Sequence, residues 1–165
     1  MMKVKDVMMG TPASCGKETN LGAAVEILWN RNCGILPVTD NNSRVIGVVT
    51  DRDICVALGT RNQPAGEIAV ADVTSGKLFT CKPEDDIRAA LATMGKEKVR
   101  RLPVIDEAGK LLGILSMDDV VLHSQAADPG RAPELSYEHV TLTLKQLYQP
   151  QVPDVVGKKA SAARS

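Results

Sequence analysis

The sequence predicts an α+β protein in which one β-α-β-β-α unit is used twice, the copies packed face to face, with a helical tail behind them. Three observations carry this. Blocks of sequence recur at one constant offset, each copy runs through the same order of periodicities, and a stretch beyond the second copy, set off by prolines, has a helical stripe of its own. Gly34–Asp40 (GILPVTD) returns as Arg100–Asp106 (RRLPVID), Val45–Ile54 (VIGVVTDRDI) as Leu111–Val120 (LLGILSMDDV), and Val4–Val7 (VKDV) as Val70–Val73 (VADV). Pro37 meets Pro103, Gly47 meets Gly113 and Asp53 meets Asp119, all 66 residues apart and without a gap. A fixed period of this kind marks a duplicated supersecondary unit.

Within each copy the elements follow in order. Short strands at Ala13–Cys15 and Phe79–Cys81 open the units. Residues Thr19–Arg31 then place Leu21, Ala24, Val25 and Leu28 on one helical face. The second copy does the same with Ile87, Ala90, Leu91 and Met94, after an acidic first turn at Pro83–Asp86. The apolar run Ile35–Val38 reads as a strand, and the turn residues Asp40–Ser43 fold it back on Val45–Val49. Asp106–Gly109 does this for Leu111–Leu115, and helices start near Asp51 and Met117. A unit this small buries too little surface to stand alone, so the two sheets are expected to share one core. The divisions read as 1–60 for the first repeat, 61–126 for the second, and 127–165 for a linker, a C-terminal helix and a disordered tail. In that last part Asp128–Pro133 is the linker and Gly157–Ser165 the disordered end. Between them Glu134–Tyr148 carries the stripe Leu135, Val140, Leu144, Leu147 and Tyr148, which needs a surface to cover it.

Composition removes several functions. Lys plus Arg is 20 and Asp plus Glu is 20, so the net charge of +0 argues against a general nucleic-acid binder. Aromatic residues are 2% of the chain, too few for a platform that stacks bases. Cys15, Cys33, Cys55 and Cys81 are far apart and only His123 and His139 accompany them, so no metal site is expected. Cys15 and Cys81 occupy equivalent positions and read as small buried strand residues rather than a redox pair. The histidines have no nucleophile pattern near them, so no catalytic residues are assigned and the chain is not expected to be an enzyme. Trp29 reads as core or interface packing. No run is apolar enough for a signal peptide or a membrane span, which predicts a cytoplasmic protein with free thiols and no membrane partner.

The sharpest local feature is Gly-h-h-(Ser/Thr)-x-x-Asp, where h is apolar: Gly47–Asp53 in the first copy and Gly113–Asp119 in the second. It has two readings. The hydroxyl can cap a helix with the acid as its capping-box partner. Alternatively, the helix start can face an anion while the Asp accepts hydrogen bonds from the vicinal hydroxyls of a ribose. The paired motifs, each preceded by an h-P-V-h-D strand (Leu36–Asp40 and Leu102–Asp106), resemble the cystathionine β-synthase (CBS) domain, and in tandem a Bateman module. The resemblance covers roughly Val4 to Ser124.

That resemblance implies CBS units in a pseudo-twofold pair, with clefts between them for an adenine nucleotide: AMP, ADP, ATP, NAD(H) or S-adenosylmethionine. It implies a regulatory role without a catalytic cofactor, a homodimer, and an unidentified protein target. Carried over residue by residue, one cleft uses Thr50, Arg52 and Asp53 with Thr74, Phe79, Val99 and Arg100 of the other copy. The other uses Ile114, Ser116, Asp118 and Asp119 with Met8, Ala13, Cys33 and Gly34, and Arg101 beside Ser116 as a cation for phosphate. Phe79 stands where the family commonly has a small residue, placed either to stack on adenine or to block it. Asp118 brings negative charge where Arg52 brings positive. The alternative of a different class is a ligand-free structural dimerisation module.

Overall fold

The computed structural model describes residues 1–74, 77–127 and 133–150, so most of the expected linker and all of Gly157–Ser165 lie outside the described residues. In chain order the strands are β1 (Met9–Gly10), β2 (Cys15–Gly16), β3 (Ile35–Thr39), β4 (Val45–Thr50), β5 (Arg101–Ile105) and β6 (Leu111–Ser116). The helices are α1 (Leu21–Asn30), α2 (Asp51–Arg61), α3 (Ile87–Glu97), α4 (Met117–His123) and α5 (Tyr137–Tyr148). The result is a mixed α+β fold with two small sheets, ordered β2-β3-β4 and β1-β6-β5.

Local chemistry sets the boundaries. Helix α1 starts two residues later than the periodicity suggests because Asn20 Oδ1 accepts the Ala23 N–H at 2.9 Å. Asp86 does the same for α3 by accepting from Arg88 N at 2.8 Å. Each hairpin closes through one aspartate. Asp40 Oδ1 accepts from Asn42 N and Arg44 N, and Asp106 Oδ1 from Ala108 N and Lys110 N, a side-chain mimic of a backbone turn. The expected strand at Phe79–Cys81 is reduced to one bridge, Cys81 to Val104, the counterpart of Cys15 to Val38.

The two copies exchange their leading segments. A short 3-10 turn at Val4–Asp6 packs on the second repeat, where Val4 N donates to Asp85 O at 2.9 Å. Its counterpart Val70–Asp72 packs on the first, where Val70 N donates to Thr19 O at 2.8 Å. The bridges Lys3–Asp86 and Asn20–Ala69 repeat the same exchange in both directions. Arg44 and Lys110, equivalent residues, pair antiparallel with each other, which puts the pseudo-twofold axis between the two hairpins.

The expectation of one shared core is corrected here. The described residues form two buried clusters. Val4 and Val7 complete the one built from Leu91, Met94, Leu102 and Leu115. Ile68 and Val70 complete the one built from Leu21, Leu28, Leu36 and Val49. Each small sheet-and-helix layer lacks a wall, and the other copy's leading segment supplies it.

The tail helix lies on α3 and α4, burying Val140 and Thr143, with Leu144 and Leu147 half-buried and Leu135 buried just ahead of it. Tyr148 is 69% exposed and is not in the seam, contrary to the stripe expected from spacing. Gly95 eases the approach: a Cβ there would meet the Gln146 side chain, 3.2 Å from its Cβ. Lys98 Nζ also donates to the Gln146 carbonyl. The first repeat has no such cover among the described residues. Val25, expected on the buried face, is therefore 42% exposed, whereas its counterpart Leu91 is 3% exposed. Trp29, at 84% exposure, is not core packing.

Candidate functional site

Both hydroxyl-x-x-Asp motifs form complete capping boxes. Asp53 Oδ2 accepts from Thr50 N at 2.9 Å and from Thr50 Oγ1 at 2.7 Å, while Asp53 N donates back to Thr50 Oγ1 at 3.2 Å. Asp119 Oδ2 accepts from Ser116 N at 2.9 Å and Ser116 Oγ at 2.5 Å, with the return bond at 3.2 Å. One oxygen of each carboxylate thus holds the helix start. Among the described residues Oδ1 accepts no hydrogen bond in either motif. The capping reading is realised, and among the described residues it leaves the second oxygen of each Asp without a hydrogen bond.

The second cleft brings residues of both copies together. Arg101 is the ladder partner of Ser116, and its guanidinium Nη2 lies 3.8 Å from Asp118 Oδ2. Its Nη1 lies 3.8 Å from where a Cβ on Gly34 would be, with Asp51 Oδ2 at 3.3 Å from the same point. An arginine of the second repeat therefore rests against bare backbone of the first. Cys33, Gly34, Asp51 and Arg101 share the wall of one groove of about 980 Å³. Met8 lies on the neighbouring stretch of β6, its Sδ 2.9 Å from the Cβ position of Gly113, and Met9 pairs with the buried Ile114. Ala13 stands apart, in a separate depression with Pro12, Ser14 and Ile27.

In the first cleft Arg52, Asp53 and Thr74 line a depression of about 290 Å³ together with Arg61 and Asp72. Arg61 Nη2 donates to the Asp72 carbonyl at 2.6 Å, tying α2 to the second repeat's leading turn. Phe79 and Val99 pack against the second repeat's buried cluster. Arg100 is exposed, and its carbonyl accepts from Met117 N at 3.0 Å. Asp51 and Arg61 were not singled out from sequence. The signal for Asp51 is its place directly after the cap hydroxyl, where the second repeat has Met117.

The remaining polar candidates have structural places. Burial pushes the thiol of Cys15 up to about 11 and that of Cys81 up to about 12. His123 Nδ1 lies 2.7 Å from the Asp119 carbonyl at the end of α4. His139 Nδ1 accepts from Ser136 N at 3.0 Å at the start of α5. Among the described residues no group of three His, Cys, Asp or Glu could hold a metal ion, and no helix is long and apolar enough to cross a membrane.

A sequence model of the CBS domain matches residues 4–60 and again 70–125. An uncharacterized protein of Methanopyrus kandleri is 27% identical over 120 residues, 71% of this chain and 57% of that one. The chain spans about a quarter of the larger enzymes that it also matches. Among solved structures, the CBS domain pair of protein MJ0100, in complex with 5'-methylthioadenosine and S-adenosyl-L-methionine, superposes with a TM-score of 0.68 at 21% identity, over 74% of this chain and 94% of that one. CBSX2 in complex with AMP superposes with a TM-score of 0.66 at 28% identity, over 74% and 95%.

Proposed function

The chain belongs to the CBS-domain family as a pair of CBS units, and from that premise we propose that it is a regulatory module, acting as a homodimer, that binds an adenosine-containing ligand between its repeats without transforming it. The observation that carries this is the approach of Arg101 to Gly34 beside the Ser116–Asp119 cap. It sets a cation against glycine backbone at an inter-repeat edge, and the ladder partner of that arginine, Ser116, shares its capping box with Asp119. Asp119 Oδ1 would accept from the ribose hydroxyls while Oδ2 keeps the helix start in place. Arg101 would face the ligand's tail. AMP bound to CBSX2 supports the ligand class. AMP, ADP, ATP, NAD(H) and S-adenosylmethionine all share the adenosine.

Binding becomes a signal when the occupied and empty geometries differ in affinity. The exchanged leading segments support such a coupling, since a ligand between the repeats touches elements rooted in both cores. The reading as a signal rather than a substrate is supported by where four candidate nucleophiles and bases are held, away from both clefts. The buried thiols of Cys15 and Cys81 stay protonated near neutral pH, and both histidines are engaged at helix ends. All four cysteines are free thiols, which supports a reducing, cytoplasmic setting. The target of the signal would be another protein.

One observation favours the ligand-free scaffold instead: the capping boxes already give Asp53 and Asp119 a complete structural role. Calorimetry with the five ligands separates the two readings. A regulatory module gives saturable heat that Asp119→Ala or Asp53→Ala reduces. A folded wild-type protein that gives no heat and no thermal shift with any of them is a scaffold.

A further inference from the structure

The offset that makes the two clefts equivalent also shows that they differ in charge. Arg52 answers to Asp118, and Arg61 to Ala127. In the first cleft Arg52 and Arg61 line one depression with Asp53, Thr60, Asp72 and Thr74. Among the described residues neither guanidinium forms an ion pair, and the Arg52 side chain donates no hydrogen bond. Arg61 uses one N–H on the Asp72 carbonyl, which leaves its other donors open. The second cleft is arranged the other way. Arg101 Nη2 lies 3.8 Å from Asp118 Oδ2. On its other side, Arg101 Nη1 and Asp51 Oδ2 face the same Gly34 position, at 3.8 and 3.3 Å from where a Cβ would be. Asp119 follows directly on Asp118. Two acids thus balance two arginines in the first cleft, whereas three accompany one arginine in the second. A phosphate meets unpaired cations in one cleft and an arginine already held beside carboxylates in the other.

We propose that the two clefts sort adenosine-containing ligands by the charge of the group carried beyond the ribose. The Thr50–Asp53 cleft takes a phosphorylated tail, and Asp118 turns the Ser116–Asp119 cleft toward a zwitterionic or cationic one, such as the amino-acid tail of S-adenosylmethionine. This rests on the adenosine reading above and assigns each kind of ligand its cleft. The chemistry of the second cleft fits a zwitterion, because a guanidinium pairs with a carboxylate and an aspartate with an ammonium. The phosphate role that the family resemblance implies for Arg101 is opposed here by Asp118. The Asp118 side chain is 83% exposed, so the discrimination is screened by salt and is largest at low ionic strength.

The experiment is calorimetry on the full chain, at low and at high salt, with three probes that share the adenosine: adenosine itself, AMP and S-adenosylmethionine. Affinity for AMP is expected to fall most in Asp53→Ala, and affinity for S-adenosylmethionine most in Asp119→Ala. Two further variants leave both capping boxes intact, since neither side chain takes part in them. Arg52→Asp is expected to weaken AMP roughly fivefold at low salt and to leave S-adenosylmethionine unchanged. Asp118→Asn in the Asp53→Ala background is expected to raise the residual AMP affinity roughly fivefold at low salt, and less at high salt. Circular dichroism checks that each variant is folded. If an alanine variant is not, Arg52→Asp and Asp118→Asn in the otherwise wild-type chain decide, and AMP affinity unchanged by both overturns the sorting. A folded wild-type chain that binds none of the three probes overturns the adenosine reading itself. Probes that bind but lose affinity alike in Asp53→Ala and Asp119→Ala, or in the reverse assignment, leave that reading standing and overturn the sorting.

Discussion

At Asp53 and Asp119 one carboxylate oxygen holds a helix start and the other accepts no hydrogen bond among the described residues, so substitution should act on two observables at once. Asp119→Ala is expected to lower stability by about 0.5–1.5 kcal/mol through loss of the capping-box acceptor for Ser116 N and to weaken an adenosine-containing ligand by about 1–3 kcal/mol. Urea denaturation reads the first and calorimetry the second. Asp119→Asn keeps an acceptor oxygen for the cap, so it should recover most of the stability and less of the affinity. The motif was legible in sequence because a hydroxyl followed three residues later by an acid is a local pattern. Arg101 against Gly34 was only half legible: the family resemblance implies Arg101 beside Ser116, but no periodicity reports which backbone of the other copy lies beneath it. Asp51 was missed because a first-turn acid is ordinary in any helix. The thiols give an independent check. Alkylation at pH 8 should label the exposed Cys55 and spare Cys15 and Cys81, held near 11 and 12 by burial, until denaturant is added. Peptide mapping that finds Cys81 labelled as fast as Cys55 would contradict its burial in the second repeat's cluster.

The elements most in need of explanation are those that join the repeats. Lys3 and Lys5 both reach Glu84, the latter at 2.7 Å, and hold the Val4–Asp6 turn on the second repeat. Their hydrogen bonds and charge bring the Glu84 carboxyl down from 4.5 to about 2. Because the folded value is depressed, this stabilisation is present above the usual carboxylate range and is lost as pH falls from about 4.5 toward 2. Protection factors of the Val4–Met8 amides are therefore expected to fall between pH 6 and pH 3, and to fall partly in high salt, since the cluster is solvent-exposed. Glu84→Gln should abolish that pH response; an unchanged response would mean that other groups hold the segment. Just ahead of α5, Leu135→Ala removes a buried side chain and is expected to cost about 2–5 kcal/mol in chemical denaturation. The stripe on α5 was readable from its spacing. Its docking site was not, because Gly95 in α3 carries no apolar signal and the match with Trp29 obscures it.

Across the whole molecule the duplication was legible and the exchange of leading segments was not. The offset shows that Val4–Val7 and Val70–Val73 are equivalent, but the same pattern is satisfied whether each packs on its own repeat or on the other. The exchange has a measurable consequence. A fragment of residues 1–60 lacks Ile68 and Val70, which complete its core, and its Val4 and Val7 lose the cluster in which they are buried. It is expected to be unfolded by circular dichroism, while the full chain melts in one cooperative transition.

The central claim, an adenosine-containing ligand held between the repeats, is tested most directly by competitive capture. The full chain is equilibrated with equal amounts of AMP, ADP, ATP, NADH and S-adenosylmethionine, separated from free ligand, denatured, and the released small molecules are weighed by mass spectrometry. The account predicts retention of at least one of the five at micromolar-class affinity, about −8 kcal/mol, and its loss in Asp53→Ala/Asp119→Ala. Recovery of none of them from the folded wild-type chain would contradict it.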